Sequence, residues 1–166
     1  GSKFEKSYFN KFKNVWHHGD YISINSSGGV EIFGRSDTTL NPGGVRIGTS
    51  EIYQVLELLD YIDDSLLVGQ EWEDDERIIL FLKLSLGVVL TRSIIKDIQQ
   101  YIKIKCSPKH IPSKIIQIED IPYTINGKKV EIAVKNIIHG FEPSNKSALL
   151  NPDCLELYKN LAQLSK

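Results

Sequence analysis

Apolar positions recur along the chain in two rhythms, one of three to four residues and one of two, and the switches between them mark its elements. In residues 3–16, Phe4, Tyr8, Phe9, Phe12 and Val15 fall on one helical face with lysines opposite. That pattern predicts an amphipathic helix whose aromatic side needs something to pack on. The β-like runs DYISIN and VEIFG flank the turn SSGG and predict a hairpin. In TSEIYQVLELLD, Ile52, Val55, Leu56 and Leu59 share a helical face, with Thr49 or Ser50 available as N-cap. SLLVGQEW and RIILFLKL predict two strands joined by the acidic turn EDDE. Another helix spans 91–104, with Ile94, Ile95, Ile98, Tyr101 and Ile102 inward, and the loop CSPKHIPS leads from it to a strand, KIIQIED. A last full helix, VEIAVKNII, stops at Gly140. FEPSNKSALLNP reads as loop, and residues 150–164 as a short closing helix. These elements define an α/β (α+β) fold: a small, mainly antiparallel sheet of about three strands, flanked by helices and preceded by a β-hairpin.

Composition narrows the function classes. With 166 residues the chain suffices for one ordinary domain and a small appendage. Its 20 basic and 21 acidic residues argue against a nucleic-acid partner held by bulk electrostatics. Apolar runs such as IILFL fall far short of a membrane span, and no signal-peptide pattern precedes them, so a cytoplasmic protein without a membrane partner is expected. Cys106 and Cys154 lack metal-type spacing and read as free thiols. The leading Gly-Ser, residues 1–2, reads as a cloning scar, and the chain as an excised piece of something longer.

Four stretches carry candidate chemistry. In HHGDY, Asp20 opens a strand, where its carboxylate can accept two hydrogen bonds from the cis-diol of a ribose. Taken locally, a turn aspartate is the plainer reading, and the paired histidines have no completing ligand set, so no metal site is expected. The loop GRSDTTLNPGGVRIGTSEIY spends more glycine, proline and arginine than a connector needs. Arg35 and Arg46 can clamp ribose hydroxyls or phosphate oxygens, Asp37 follows the strand, and Gly43 and Gly44 let an elongated ligand approach the backbone. No lysine follows GVRIG, which excludes a P-loop. In YTINGKK, the Asn-Gly turn presents Lys128 and Lys129 before a helix, as point charges for a phosphate or a developing oxyanion, although two solvated lysines are the commoner outcome of such turns. EWEDDE lacks the pattern of a calcium loop and reads as a solvated hairpin turn.

In order, Gly-Asp, then Gly-Arg-x-Asp with its glycine-rich loop and arginine, then Pro-x-x-x-x-Gly-Lys, resembles the C-terminal region of the acyl- and aryl-adenylate-forming enzymes. That superfamily comprises acyl-CoA synthetases, peptide-synthetase adenylation domains and luciferases. WHHGDY, GRSDTTLNPGGVRIGTSEIY, DIPYTINGKKVEIAVKNIIHG and LLNPDCLELY are most similar to its acetoacetate–CoA ligases, over residues 3 to the end. The resemblance implies that residues 3–36 close a large N-terminal domain and lead to a hinge. Residues 37–140 would form a mobile C-terminal lid, and 141–166 an extension. It implies acetoacetate, ATP and CoA as substrates, acetoacetyl-AMP as intermediate, and Mg2+ held mainly by the absent N-terminal domain. The lid alone would then be inactive.

The same resemblance assigns roles. Asp20 and Arg35 would hold the ribose, Asp37 would be the hinge, and Lys128 would meet the substrate carboxylate and α-phosphate. Arg46 would support the adenylation pose, Gly43 and Gly44 would line the pantetheine channel after rotation, and Lys103 would lie near a CoA phosphate. Two positions depart from the common pattern. Thr38 stands where many members carry a second aspartate, and YTINGKK replaces the usual Ser-Gly-Lys, leaving Lys129 as a stand-in for Lys128. A lid from another short- or medium-chain acyl-CoA synthetase, or a non-catalytic α/β binding module, remains an alternative.

Overall fold

Two consecutive strands carry nearly unbroken apolar runs, and the architecture follows from them. A sheet that is wet on one face alternates polar and apolar residues, whereas one covered on both faces needs neither face polar. In the computed structural model, which describes residues 1–143 and 146–165, β3 (Ile62–Trp72) and β4 (Asp75–Leu84) are buried through their centres on both faces. They pair antiparallel from Ile62↔Leu84 to Trp72↔Asp75, around a two-residue turn. Glu73 and Asp74 there take positive φ, 49° and 63°, the twist that matches a right-handed hairpin. β5 (Lys114–Gln117) joins the other side of β4 in parallel, giving the order β3-β4-β5. Parallel pairing needs a crossover, which α3 (Arg92–Lys105) supplies. Its N-cap Thr91 hydroxyl accepts from the Ile94 amide at 3.2 Å.

Successive strand residues point to opposite faces, so the one sheet divides two cores. Leu67, Ile78, Leu80 and Leu82 face Ile52, Val55 and Leu56 of α2 (Thr49–Leu56) and Ile98 and Ile102 of α3. Leu66, Val68, Ile79 and Phe81 face Val134 and Ile137 of α4 (Glu131–Ile138), together with Leu155 and Tyr158 of the tail.

The N-cap of α2 is Gly48 rather than Thr49 or Ser50. The chain is so close to the preceding strand that a Cβ at position 48 would sit 2.3 Å from the Phe33 carbonyl oxygen. Ser50 spends its hydroxyl on that carbonyl, at 2.7 Å, while the Glu51 carboxylate accepts from the Gly48 amide at 3.1 Å.

Both ends of the chain differ from expectation. α1 (Ser2–Tyr8) ends midway through the anticipated helix, and the chain doubles back through Asn14, whose φ is 62°. Trp16 then stacks on Tyr8 at 4.1 Å and meets Phe4 and Phe9 edge-on, so the aromatic face finds its partner within the segment. A hairpin follows, β1 (Asp20–Ile24) against β2 (Val30–Arg35), its turn closed by Asn25 Oδ1 accepting from the Ser27 and Gly29 amides. At the other end, two residues of the expected loop, 144 and 145, lie outside the described residues. The expected closing helix is two 3-10 stretches, Pro152–Tyr158 and Ala162–Leu164, separated where Asn160 turns with φ 51°. Asp120 fastens this tail: its backbone carbonyl accepts from Tyr158 Oη at 2.9 Å, and its carboxylate from Asn151 at 2.7 Å and Lys83 at 2.8 Å. The Lys83 hydrogen bond holds the Asp120 carboxyl below its ordinary range. Among the described residues no helix is long and apolar enough to cross a membrane.

Candidate functional site

The turn that carries the twin lysines is built by short-range hydrogen bonds. Tyr123 and Lys129 form an antiparallel bridge at its base. Above it, the Thr124 amide donates to the Lys128 carbonyl at 2.8 Å and the Lys128 amide to Thr124 Oγ1 at 3.0 Å. The tail pairs along the outside, through Ile125 N to Ala148 O at 3.0 Å and Leu150 N to Tyr123 O at 2.8 Å. Neighbouring residues of an extended chain point to opposite sides, so one lysine must turn in and the other out. Lys129 turns in. Its ammonium lies 2.8 Å from Asp64 Oδ1, donates to the Ser65 carbonyl at 2.6 Å, and sits 4.3 Å from the centre of the Tyr53 ring. Lys128 is exposed, and among the described residues its ammonium has no hydrogen-bond or ion-pair partner. The two lysines are therefore held differently, Lys129 by an ion pair and Lys128 by none among the described residues.

At the end of the hairpin, strand pairing sets Asp20 opposite Arg35. The Arg35 guanidinium donates twice to Asp37, from Nε at 3.2 Å and Nη2 at 3.1 Å, and once from Nη1 to the His18 carbonyl at 3.1 Å. This fork-on-carboxylate pairing raises the Arg35 pKa. Asp20 Oδ2 meets His18 Nδ1 at 2.5 Å. His18 thus orients a candidate carboxylate, a role that its spacing two residues before Asp20 would have suggested. Thr38, the departure from the family aspartate, donates its hydroxyl to the Arg35 carbonyl at 3.3 Å, and Thr39 does so at 3.0 Å. Two hydroxyls pin the turn at Asp37.

These two constructions face one another. A cleft of about 460 Å³ is lined by Arg35, Asp37, Thr38, Lys128, Lys129 and Glu131, among others. A smaller one, about 300 Å³, shares Arg35 and Asp37 and adds His17 and His18. Glu131 accepts from Tyr53 Oη at 3.2 Å, and burial pushes both its carboxyl and the Tyr53 phenol upward.

The glycine-rich loop is a separate feature. Leu40 and Ile47 bridge across it and are buried in the core beneath α2, so the loop is a stitched miniature hairpin. At its tip Gly43 and Gly44 take φ of 57° and 75°, left-handed values that suit residues lacking a Cβ. The acidic turn is not merely solvated. Asp75 accepts from the Gly43 amide at 3.0 and 2.9 Å, and Glu76 from the Asn41 amide at 2.7 Å while pairing with Lys135 at 2.9 Å. These contacts span 32 and 35 residues, beyond the reach of local pattern. Asp75→Ala is expected to speed hydrogen exchange at the Gly43 amide by about 10–100-fold, the worth of a charge-assisted hydrogen bond; the rate is read by amide exchange at that residue.

The structure does not bring every candidate together. Gly43, Gly44, Arg46 and Lys103 are exposed and do not line the Lys128 cleft, and Lys103 rides on α3, across the sheet from α4. Among the described residues no three His, Cys, Asp or Glu side chains gather as a metal site.

No family model matches the chain. Its fold is that of the C-terminal domains of adenylate-forming enzymes, shared with a benzoate CoA ligase from Burkholderia xenovorans at TM-score 0.67 and 19% identity, over 81% of this chain and 26% of that one. More closely, it superposes on an acetoacetyl-CoA synthetase from Streptomyces lividans at TM-score 0.90 and 36% identity, covering 99% of this chain and 25% of that one. An acetoacetyl-coenzyme A synthetase from Rhizobium meliloti is 49% identical over 164 residues, again 99% of this chain and 25% of the relative. The chain is thus a homologue of the C-terminal domain of acetoacetyl-CoA synthetases, and spans about a quarter of the length of the relatives it matches.

Proposed function

We propose that the chain is the C-terminal part of an acetoacetate–CoA ligase acting in the cytoplasm. Residues 3–36 close the large N-terminal domain and lead to the hinge, 37–140 form the mobile lid, and 141–166 an extension fastened to it. The observation that carries this reading is the Lys128 ammonium, held on a short turn over a cleft that also contains Arg35 and Asp37.

In the first half-reaction the acetoacetate carboxylate attacks the α-phosphorus of ATP and pyrophosphate leaves. Lys128 offsets the negative charge gathering between carboxylate and phosphate, the kind of electrostatic help that phosphoryl-transfer sites depend on. Asp20 and Arg35 hold the ribose, and Arg46 supports this pose. The backbone around Asp37 then swings the lid. In the second half-reaction the CoA thiol attacks the acyl carbonyl and AMP leaves, with Gly43 and Gly44 lining the thiol channel and Lys103 near a CoA phosphate. Mg2+ accompanies ATP and is held mainly by the N-terminal domain.

Acetoacetate-dependent ATP–pyrophosphate exchange tests this reading. The intact protein should exchange with acetoacetate and the 166-residue chain alone should not. Robust exchange by the chain alone, or preference of the intact protein for another acid, would overturn it.

A further inference from the structure

The carboxylate of Asp64, on β3, touches both legs of the Lys128 turn. Its Oδ1 faces the Lys129 ammonium at 2.8 Å and its Oδ2 accepts from Tyr123 Oη at 2.7 Å. Tyr123 and Lys129 are the bridge pair at the base of that turn, so one side chain of the rigid sheet grips it on either side. The Asp64 carboxylate is itself oriented by the Ser65 amide at 2.7 Å. Lys129 adds two further anchors, the Ser65 carbonyl and the Tyr53 ring, and Tyr53 Oη in turn accepts from the Leu67 amide at 2.9 Å. Tyr53 belongs to α2, which follows directly on the glycine-rich loop. Only residues 124–128 project beyond these anchors.

We infer that Asp64, Tyr123 and Lys129 form a clamp that positions Lys128 for adenylate formation. Lys129 is thus a positioning residue rather than a second catalytic amine. A flexible lysine on a free loop would have to be ordered in each catalytic cycle. A turn clamped at its base carries its ammonium to one place, and misplacement by about 1 Å can cost on the order of 100-fold in rate. The inference rests on the role proposed above for Lys128.

The test uses the intact enzyme, with both half-reactions measured separately. Lys129→Ala and the isosteric Asp64→Asn should each lower pyrophosphate exchange about 10–100-fold, while transfer of acetoacetate from preformed acetoacetyl-AMP to CoA stays within about twofold of wild type. Combining Lys129→Ala with Lys128→Ala should add no loss to that of Lys128→Ala alone, since a positioning residue acts only through the residue it positions. Equal losses in both half-reactions, an additive double variant, or wild-type exchange in Lys129→Ala would each refute the clamp and leave the role of Lys128 standing. Should Lys129→Ala not fold, Asp64→Asn and Tyr123→Phe give the same readout with the packing kept. Wild-type exchange in Lys128→Ala would instead remove the functional reading, and the clamp with it.

Discussion

Lys128→Ala in the intact protein is expected to slow acetoacetyl-adenylate formation by about 10³-fold, with transfer from preformed adenylate to CoA close to the wild-type rate. The asymmetry is the informative part. Negative charge accumulates between carboxylate and α-phosphate only while the anhydride forms, so an ammonium placed there acts on one half-reaction. Rescue by the adjacent lysine is not expected. Lys129 also borders the cleft, but its ammonium is held by Asp64, the Ser65 carbonyl and the Tyr53 ring. Pyrophosphate exchange, set against single-turnover thioester formation from synthetic adenylate, separates the two steps. A uniform loss across both, or none, would show that Lys128 does not serve the adenylation chemistry.

The largest stability effect is expected at Phe81. This residue is fully buried in the central strand, between Leu66 of β3 and Ile116 of β5, with the Tyr158 ring packed edge-on at 4.9 Å. Strand ladders on both sides hold its backbone in place, so the space left by Phe81→Ala cannot close. The expected cost is about 3–5 kcal/mol, the range for a buried phenylalanine truncated where collapse is blocked. In a chain of this size that lowers the melting temperature by about 10 °C. The tail should loosen first, because Tyr158 loses its ring partner and keeps only its hydrogen bond to the Asp120 carbonyl. By contrast Phe12→Ala, at a half-exposed ring, should change stability by no more than about 0.5 kcal/mol. Denaturant unfolding of the two variants beside wild type decides the matter; similar midpoints for both would contradict the packing described.

Much of the fold is written locally. The runs LLV and IILFL mark strands covered on both faces, and the isoleucine spacing of residues 94–102 marks α3, because burial imposes a period that each segment displays alone. Asn126-Gly127 marks the turn that lifts Lys128, and the order of motifs from Asp20 to Lys128 points to the superfamily and its acetoacetate branch. Local pattern fails where the deciding contact is distant. The helix begun at Ser2 stops early because Trp16 returns to stack on Tyr8, and the acidic turn serves as a latch because the glycine-rich loop lies against it.

The sequence by itself thus determined the central strands and helices, the order of the motifs and the kinship, since periodicity, turn chemistry and motif spacing are properties of neighbouring residues. Only the tertiary structure decided which of two adjacent lysines is tied down by an ion pair, what holds the glycine-rich loop and how the tail is fastened. Those outcomes depend on single carboxylates, Asp64, Asp75 and Asp120, whose partners come from elsewhere in the chain.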